Sequence, residues 1–176
     1  DNKSRKLKYT LEIIEDGKSR VGVNTHSSNR IVHHALKNNL IDELKDFSEI
    51  KPETKFGTNT RFDFLVLKKK YKAFIEVKNV TLSRESKIAE FPDAITARGL
   101  KHISELLKAS KKNYDIFIIY LIQRDDCRLF TLAKDIDPAY AIALNKAVKK
   151  KLNILCYDCK FSPKVIKLNN KINLKL

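Results

Sequence analysis

Two apolar runs in the middle of the chain, Arg61 to Leu67 (RFDFLVL) and Ala73 to Val80 (AFIEVKNV), are each broken by charge. These breaks constrain the fold more than any other feature. Both runs have the β-branched and aromatic residues of strands, and Lys68 to Lys70 between them make a charged turn. Side chains alternate across a strand, so Asp63, Leu65 and Leu67 are expected on one face, and Phe74, Glu76 and Lys78 together on one face of the neighbour. Asp, Glu and Lys are almost never fully buried unless paired. Strands this apolar must bring compensating groups to Asp63, Glu76 and Lys78, and a metal ion is a good candidate. An internal Glu76–Lys78 salt bridge, or strand ends left wet, are the other readings of the same residues.

The flanking segments supply the layers. Residues 7–15 alternate as a strand, Asp16-Gly17 is a turn signal, and Arg20 to Val23 is its hairpin partner. Ile31, Val32, Ala35, Leu36 and Leu40 recur at helical spacing and predict a helix over about 28–39, after capping residues between Asn24 and Asn29. Phe47 to Phe56 is extended, with Pro52 suggesting an edge position. A helix over about 96–110, a strand at Tyr114 to Ile122 buried on both faces, a helix opened by Asp137-Pro138 and running to Lys150, and a strand at Leu152 to Phe161 follow; Val165 to Leu176 reads as an added hairpin. The sum is an α/β fold, a mixed central sheet flanked by helices. A small β segment at residues 1–27 precedes an α/β domain at 28–176.

The 176 residues and 20.3 kDa suit one domain with a sizeable core. No apolar run approaches the roughly 20 residues of a membrane span, which argues against a membrane partner, and no secretory signal is visible, so the cytoplasm is the expected location. Cys156 and Cys159 form a single C-x-x-C with no second pair to complete a zinc site. On a strand they point to opposite faces. The formal charge of +15 favours polyanionic partners, although a lysine-, asparagine- and isoleucine-rich composition offers a second explanation.

The spacing D-x12-E-x-K at Asp63, Glu76 and Lys78 resembles the PD-(D/E)XK nuclease superfamily, whose core order is helix, three strands, helix, strand. The strings RFDFLV, FIEVKNVTL, FPDAITARGLKHISEL, LIQRDD and DIDPAYAIAL, taken together, resemble the sugar fermentation stimulation protein family from about Lys6 to the C-terminus. The resemblance implies a nuclease-like domain that binds DNA. Asp63, Glu76 and Lys78 would be the catalytic triad, Asp63 and Glu76 the ligands of magnesium or manganese, and Arg61, Asn79 and Thr81 the flanking signature, with Arg61 a phosphate contact. The family also carries an N-terminal OB-like domain, expected to be absent here. The lack of any Met and a first residue of Asp fit a chain that starts inside a longer protein.

Further nucleic-acid contacts are expected from Arg98 and His102, four apart on one helix face, and from Gln123 and Arg124 at a strand end. A plain polar surface is the rival reading for each. Asp93 reads as a metal helper or a helix cap, and Glu12, Glu43, Glu49 and Glu53 as alternative upstream acids. Two functions follow: a metal-dependent DNA phosphodiesterase, or a DNA-binding regulator of sugar metabolism that keeps the fold without catalysis. A protein-interaction scaffold is more distant, and homo-oligomerisation stays open.

Overall fold

The computed structural model describes residues 7, 9–17 and 19–176. In chain order the elements are β1 (Ile13–Asp16), β2 (Ser19–Gly22), α1 (Ser27–Lys37), β3 (Glu49–Phe56), β4 (Thr60–Lys68), β5 (Tyr71–Val80), β6 (Leu82–Glu85), β7 (Ile88–Phe91), α2 (Ala97–Ser110), β8 (Asp115–Ile122), β9 (Leu129–Leu132), α3 (Pro138–Val148), β10 (Leu152–Phe161), β11 (Ile166–Lys171) and β12 (Asn173–Lys175).

Six strands form the central sheet in the order β11-β10-β8-β5-β4-β3. β4 runs antiparallel to its neighbours β3 and β5, whereas β5, β8 and β10 are parallel. β8 lies at the centre because seven of its eight residues are apolar and can be buried on both faces. Its even-numbered residues Ile116, Ile118, Tyr120 and Ile122 enter one core with α2 and α3. Phe117, Ile119 and Leu121 enter the other with α1. β3 is an edge strand, the position that Pro52 favours. Cys156 and Cys159 fall in opposite cores, and all three cysteines are free and buried.

A second sheet, β12-β9-β7-β6, covers the α2/α3 face. The residues after Val165 do not form a separate hairpin: β11 pairs antiparallel with β10, the chain crosses at buried Ile172, and β12 joins β9 in the other sheet. The predicted N-terminal hairpin is present as β1–β2, turning at Gly17 with φ of 63°. Among the described residues, no helix is long and apolar enough to cross a membrane.

Helix starts follow local chemistry. Thr96 caps α2 by accepting from the Gly99 amide at 2.9 Å, and Asp137 caps α3 by accepting from the Tyr140 amide at 2.9 Å, with Pro138 at the first position. Asp93 is exposed and takes no capping part. α2 and α3 pack on the sheet where the Tyr120 and Tyr140 hydroxyls meet at 2.6 Å inside the core.

Candidate metal and nucleic-acid site

The β4–β5 ladder runs from Lys68↔Tyr71 to Phe64↔Ile75 and stops. Continued by one step it would pair Asp63 with Glu76. Instead the strands fork, and the Val77 amide donates to Asp63 Oδ2 at 2.7 Å. The fork also breaks the alternation expected of a regular strand: Phe62 packs in the α2/α3 core, while Phe64, two residues on, packs in the α1 core. The other oxygen of Asp63, Oδ1, accepts from Asn29 Nδ2 on the first turn of α1 at 2.7 Å.

Glu76 is 3% exposed. Its Oε1 accepts from Lys78 Nζ at 2.8 Å and meets Nδ1 of His102 on α2. A carboxylate only accepts, so the ring carries a proton on Nδ1. The internal salt bridge read from the sequence is therefore real, but it uses one oxygen only. Oε2 of Glu76 is buried with no hydrogen-bond partner.

The two carboxyls titrate apart. Burial, followed by the charge of Glu76, pushes Asp63 up to about 6, against the pull of its bonds to Val77 and Asn29. Burial would raise Glu76 as well, but hydrogen bonds and charge from His102 and Lys78 outweigh it and hold Glu76 below the usual carboxylate range. One acid is ready to carry charge and its neighbour resists it.

Asp63, Glu76, Lys78 and Asn79 line a pocket of about 230 Å³ with Thr25, Ser28, Asn29 and Arg98. The donor set suits a hard divalent cation: Glu76 offers an oxygen with no other use, and Asp63 lies on the same wall. Among the described residues no cluster of three or more His, Cys, Asp or Glu side chains is poised for a metal. A cation here would rely on two carboxylates and complete its shell with waters, as magnesium commonly does.

The remaining predicted residues divide. Arg98 is exposed on the pocket wall. Arg61 is exposed and lies 3.8 Å from Glu53, outside the pocket. His102 is turned inward onto Glu76 and is 7% exposed, so its role is to hold that carboxylate rather than to meet a nucleic acid on the surface. Gln123 has no exposure. Its amide donates to Asn79 Oδ1 at 2.6 Å and Ser28 Oγ at 3.2 Å, and accepts from Ser27 Oγ at 2.9 Å. It ties α1, β5 and the end of β8 together and is not a surface contact. Asn79 belongs to the same network. Arg124 forks onto Asp126 at 2.7 and 2.9 Å and donates to the Thr81 carbonyl at 3.1 Å, leaving its guanidinium committed to the fold. Of the alternative acids, Glu12, Glu43, Glu49 and Glu53 pair elsewhere, with Arg30, Lys171, Lys51 and Arg61 respectively.

Asn29 was missed by sequence reasoning, which counted it only among capping residues. Nothing local marks a side chain whose partner lies 34 positions away.

Residues 26–165 match the family described as Sugar fermentation stimulation protein RE domain. The chain belongs to the sugar fermentation stimulation protein family. It is 51% identical over 174 residues to the sugar fermentation stimulation protein homologue of Pelagibacter ubique, covering 99% of this chain and 75% of that one. The homologue of Agrobacterium fabrum is 38% identical over 175 residues, covering 99% and 73%. The fold is that of the family member from Pyrococcus furiosus, solved in complex with Ca2+. That structure superposes with a TM-score of 0.86 at 24% identity, over 94% of this chain and 71% of that one.

Proposed function

We propose that this member of the sugar fermentation stimulation protein family is a DNA-binding phosphodiesterase of the cytoplasm that works with magnesium or manganese. The observation that carries the reading is Glu76, which lines a pocket with Asp63 and whose Oε2 is a buried carboxylate oxygen without a hydrogen-bond partner. Leaving such an oxygen unsatisfied is costly, and a cation relieves the cost while separating the two negative charges. The Ca2+ of the Pyrococcus furiosus structure is a hard cation of the same class.

A bound divalent cation supplies polarisation of a phosphoryl oxygen and a lowered pKa for a coordinated water. The chain's own part is positional and electrostatic. Asp63 and Glu76 hold the cation. His102 and Lys78 fix Oε1 of Glu76 and so leave Oε2 free for it. The Lys78 ammonium, 12% exposed and beside that carboxylate, orients a water or offsets charge developing on phosphate. Arg98, on the same wall, contacts the phosphate.

The test is calorimetric titration with Mn2+ and Mg2+ on the wild type and an Asp63→Asn, Glu76→Gln double variant, with cleavage assays on supercoiled, linear and single-stranded DNA. Expected is metal binding that the double variant loses, and cleavage that requires metal. Equal metal affinity in both proteins rejects the assignment. A wild type that binds metal and DNA but cuts no form leaves the non-catalytic DNA-binding reading linked to sugar metabolism.

A further inference from the structure

α2 has two unlike sides. Gly99, His102, Ile103, Leu106 and Ala109 are buried on one. On the other, Arg98, Lys101, Glu105 and Lys108, continued by Lys112 in the turn after the helix, follow one another at intervals of three and four, the spacing of a single helical stripe. The stripe starts at Arg98 on the wall of the Asp63–Glu76 pocket. Its remainder lines a separate open groove of about 600 Å³ whose opposite wall is the β3–β4 turn, Phe56 to Thr60. Lys101 Nζ donates to the Asn59 carbonyl at 2.9 Å and ties the two walls together. Pocket and groove share β4 and α2 among their walls, with Thr60 three residues before Asp63 on β4 and Lys101 one turn after Arg98 on α2, while α1 and β5 complete the pocket.

Arg98 stands apart from the other described arginines. Arg20, Arg30, Arg61, Arg84, Arg124 and Arg128 each reach a carboxylate. Among the described residues, Arg98 reaches none, and neither do Lys101, Lys111 and Lys112, which line the same path. Lys108 pairs with Glu105 at 2.7 Å, and Glu105 is the one acid on the stripe, with its side chain 17% exposed. Lys112 stands 5.3 Å from the centre of the Phe56 ring. Cations gathered on one face without counter-charges raise the local potential and attract a polyanion.

We infer that the groove between α2 and the β3–β4 turn is the track along which a DNA phosphate backbone leaves the Asp63–Glu76 pocket, with Arg98, Lys101, Lys108 and Lys112 as its rail. The inference rests on the nucleic-acid reading above and adds the direction in which the strand runs. At about 1.5 Å per residue the 14 residues of α2 span about 21 Å, the rise of roughly six nucleotides of one DNA strand.

The test uses the full chain without metal, so that binding is read apart from cleavage. A fluorescein-labelled 20-base-pair duplex of mixed sequence is titrated, by anisotropy at several salt concentrations, with the wild type and two variants. One is Lys101→Gln, Lys108→Gln, Lys112→Gln. The other is Lys160→Gln, Lys164→Gln, Lys167→Gln, which removes the same charge near the β10–β11 turn. Circular dichroism confirms that both are folded. Expected is a loss of at least about tenfold in affinity for the α2 variant, with a salt slope shallower by about two to three, close to 0.9 per phosphate contact removed. The β10–β11 variant should stay within about twofold. Equal weakening in both, or no change in the α2 variant, overturns the track and leaves a diffuse charge effect. Selective loss in the α2 variant upholds the track even if the wild type cleaves no DNA with any metal, so the two readings fail separately.

Discussion

The Val77 amide and the Asp63 carboxylate are joined by a 2.7 Å hydrogen bond at the point where the β4–β5 ladder ends. Asp63 therefore does a backbone carbonyl's work as well as facing the pocket. Removing the acceptor leaves an orphaned amide, whereas an asparagine keeps an acceptor oxygen. Asp63→Ala should be less stable than Asp63→Asn by about 1–3 kcal/mol in urea denaturation; equal midpoints and slopes would show that the bond contributes nothing.

The raised Asp63 carboxyl fixes a pH dependence. Its folded pKa of about 6 lies above its ordinary value of 3.8, so in this window the folded state holds more protons than the unfolded one. This group favours folding below pH 4, and that contribution is lost as pH rises through 6, by up to about 3 kcal/mol. With chelator present, the stability of wild type relative to Asp63→Asn should fall between pH 4 and 7. Mn2+ affinity should rise over the same interval, since the cation needs the ionised form. A pH-independent difference between the two proteins would contradict the assignment.

Lys78 should separate chemistry from docking. Many other lysines face solvent, so Lys78→Ala should leave DNA affinity within about threefold, yet it removes the ammonium beside Glu76 and should lower metal-dependent cleavage by about 100-fold or more. Cleavage rates and dissociation constants measured on the same folded preparation decide this. Normal cutting by Lys78→Ala would show that the triad is wrongly placed.

His102 should act through Glu76. His102→Ala frees Oε1 from one of its two partners and should weaken Mn2+ binding by about 10- to 100-fold, while DNA affinity in chelator stays unchanged. His102→Asn, which can return a donor to Oε1, should recover part of the loss. Metal affinity unaffected by His102→Ala would remove the histidine from the site.

Gln123→Leu should damage folding, not docking. The leucine fills the space but removes the Gln123 partners of Ser27, Ser28 and Asn79, which keep only the Asn24 carbonyl and each other, at a cost of about 1–3 kcal/mol. Thermal denaturation reads the loss. A stable Gln123→Leu protein with weakened DNA binding would restore the surface-contact reading.

The elements that were legible in the sequence are those with a period long enough to register. β4, β5, β8 and β10 each carry eight or more residues, and α1 and α2 show one apolar side. The second sheet was not, because β6, β7, β9 and β12 have three or four residues each, and β12 finds its partner β9 only by crossing from one sheet to the other. In the site, Glu76 and Lys78 were readable because residues two apart on a strand must share a face. His102 reads from its spacing as a nucleic-acid contact beside Arg98, because a separation of four does not distinguish a buried partner of Glu76 from a surface residue. Gln123 looked like a surface residue because polarity was the only clue, and its burial follows from three partners near positions 27, 28 and 79.

The fork between β4 and β5 has an evolutionary consequence. A side chain that both closes a gap in the backbone ladder and faces the pocket cannot be lost without structural penalty, so a lineage that abandoned the chemistry would still be under pressure to keep an acceptor at position 63. Glu76 has no such second duty: its buried charge burdens the fold unless something in the pocket uses it. In a relative drifting away from activity, position 76 would be the first to turn apolar and position 63 the last.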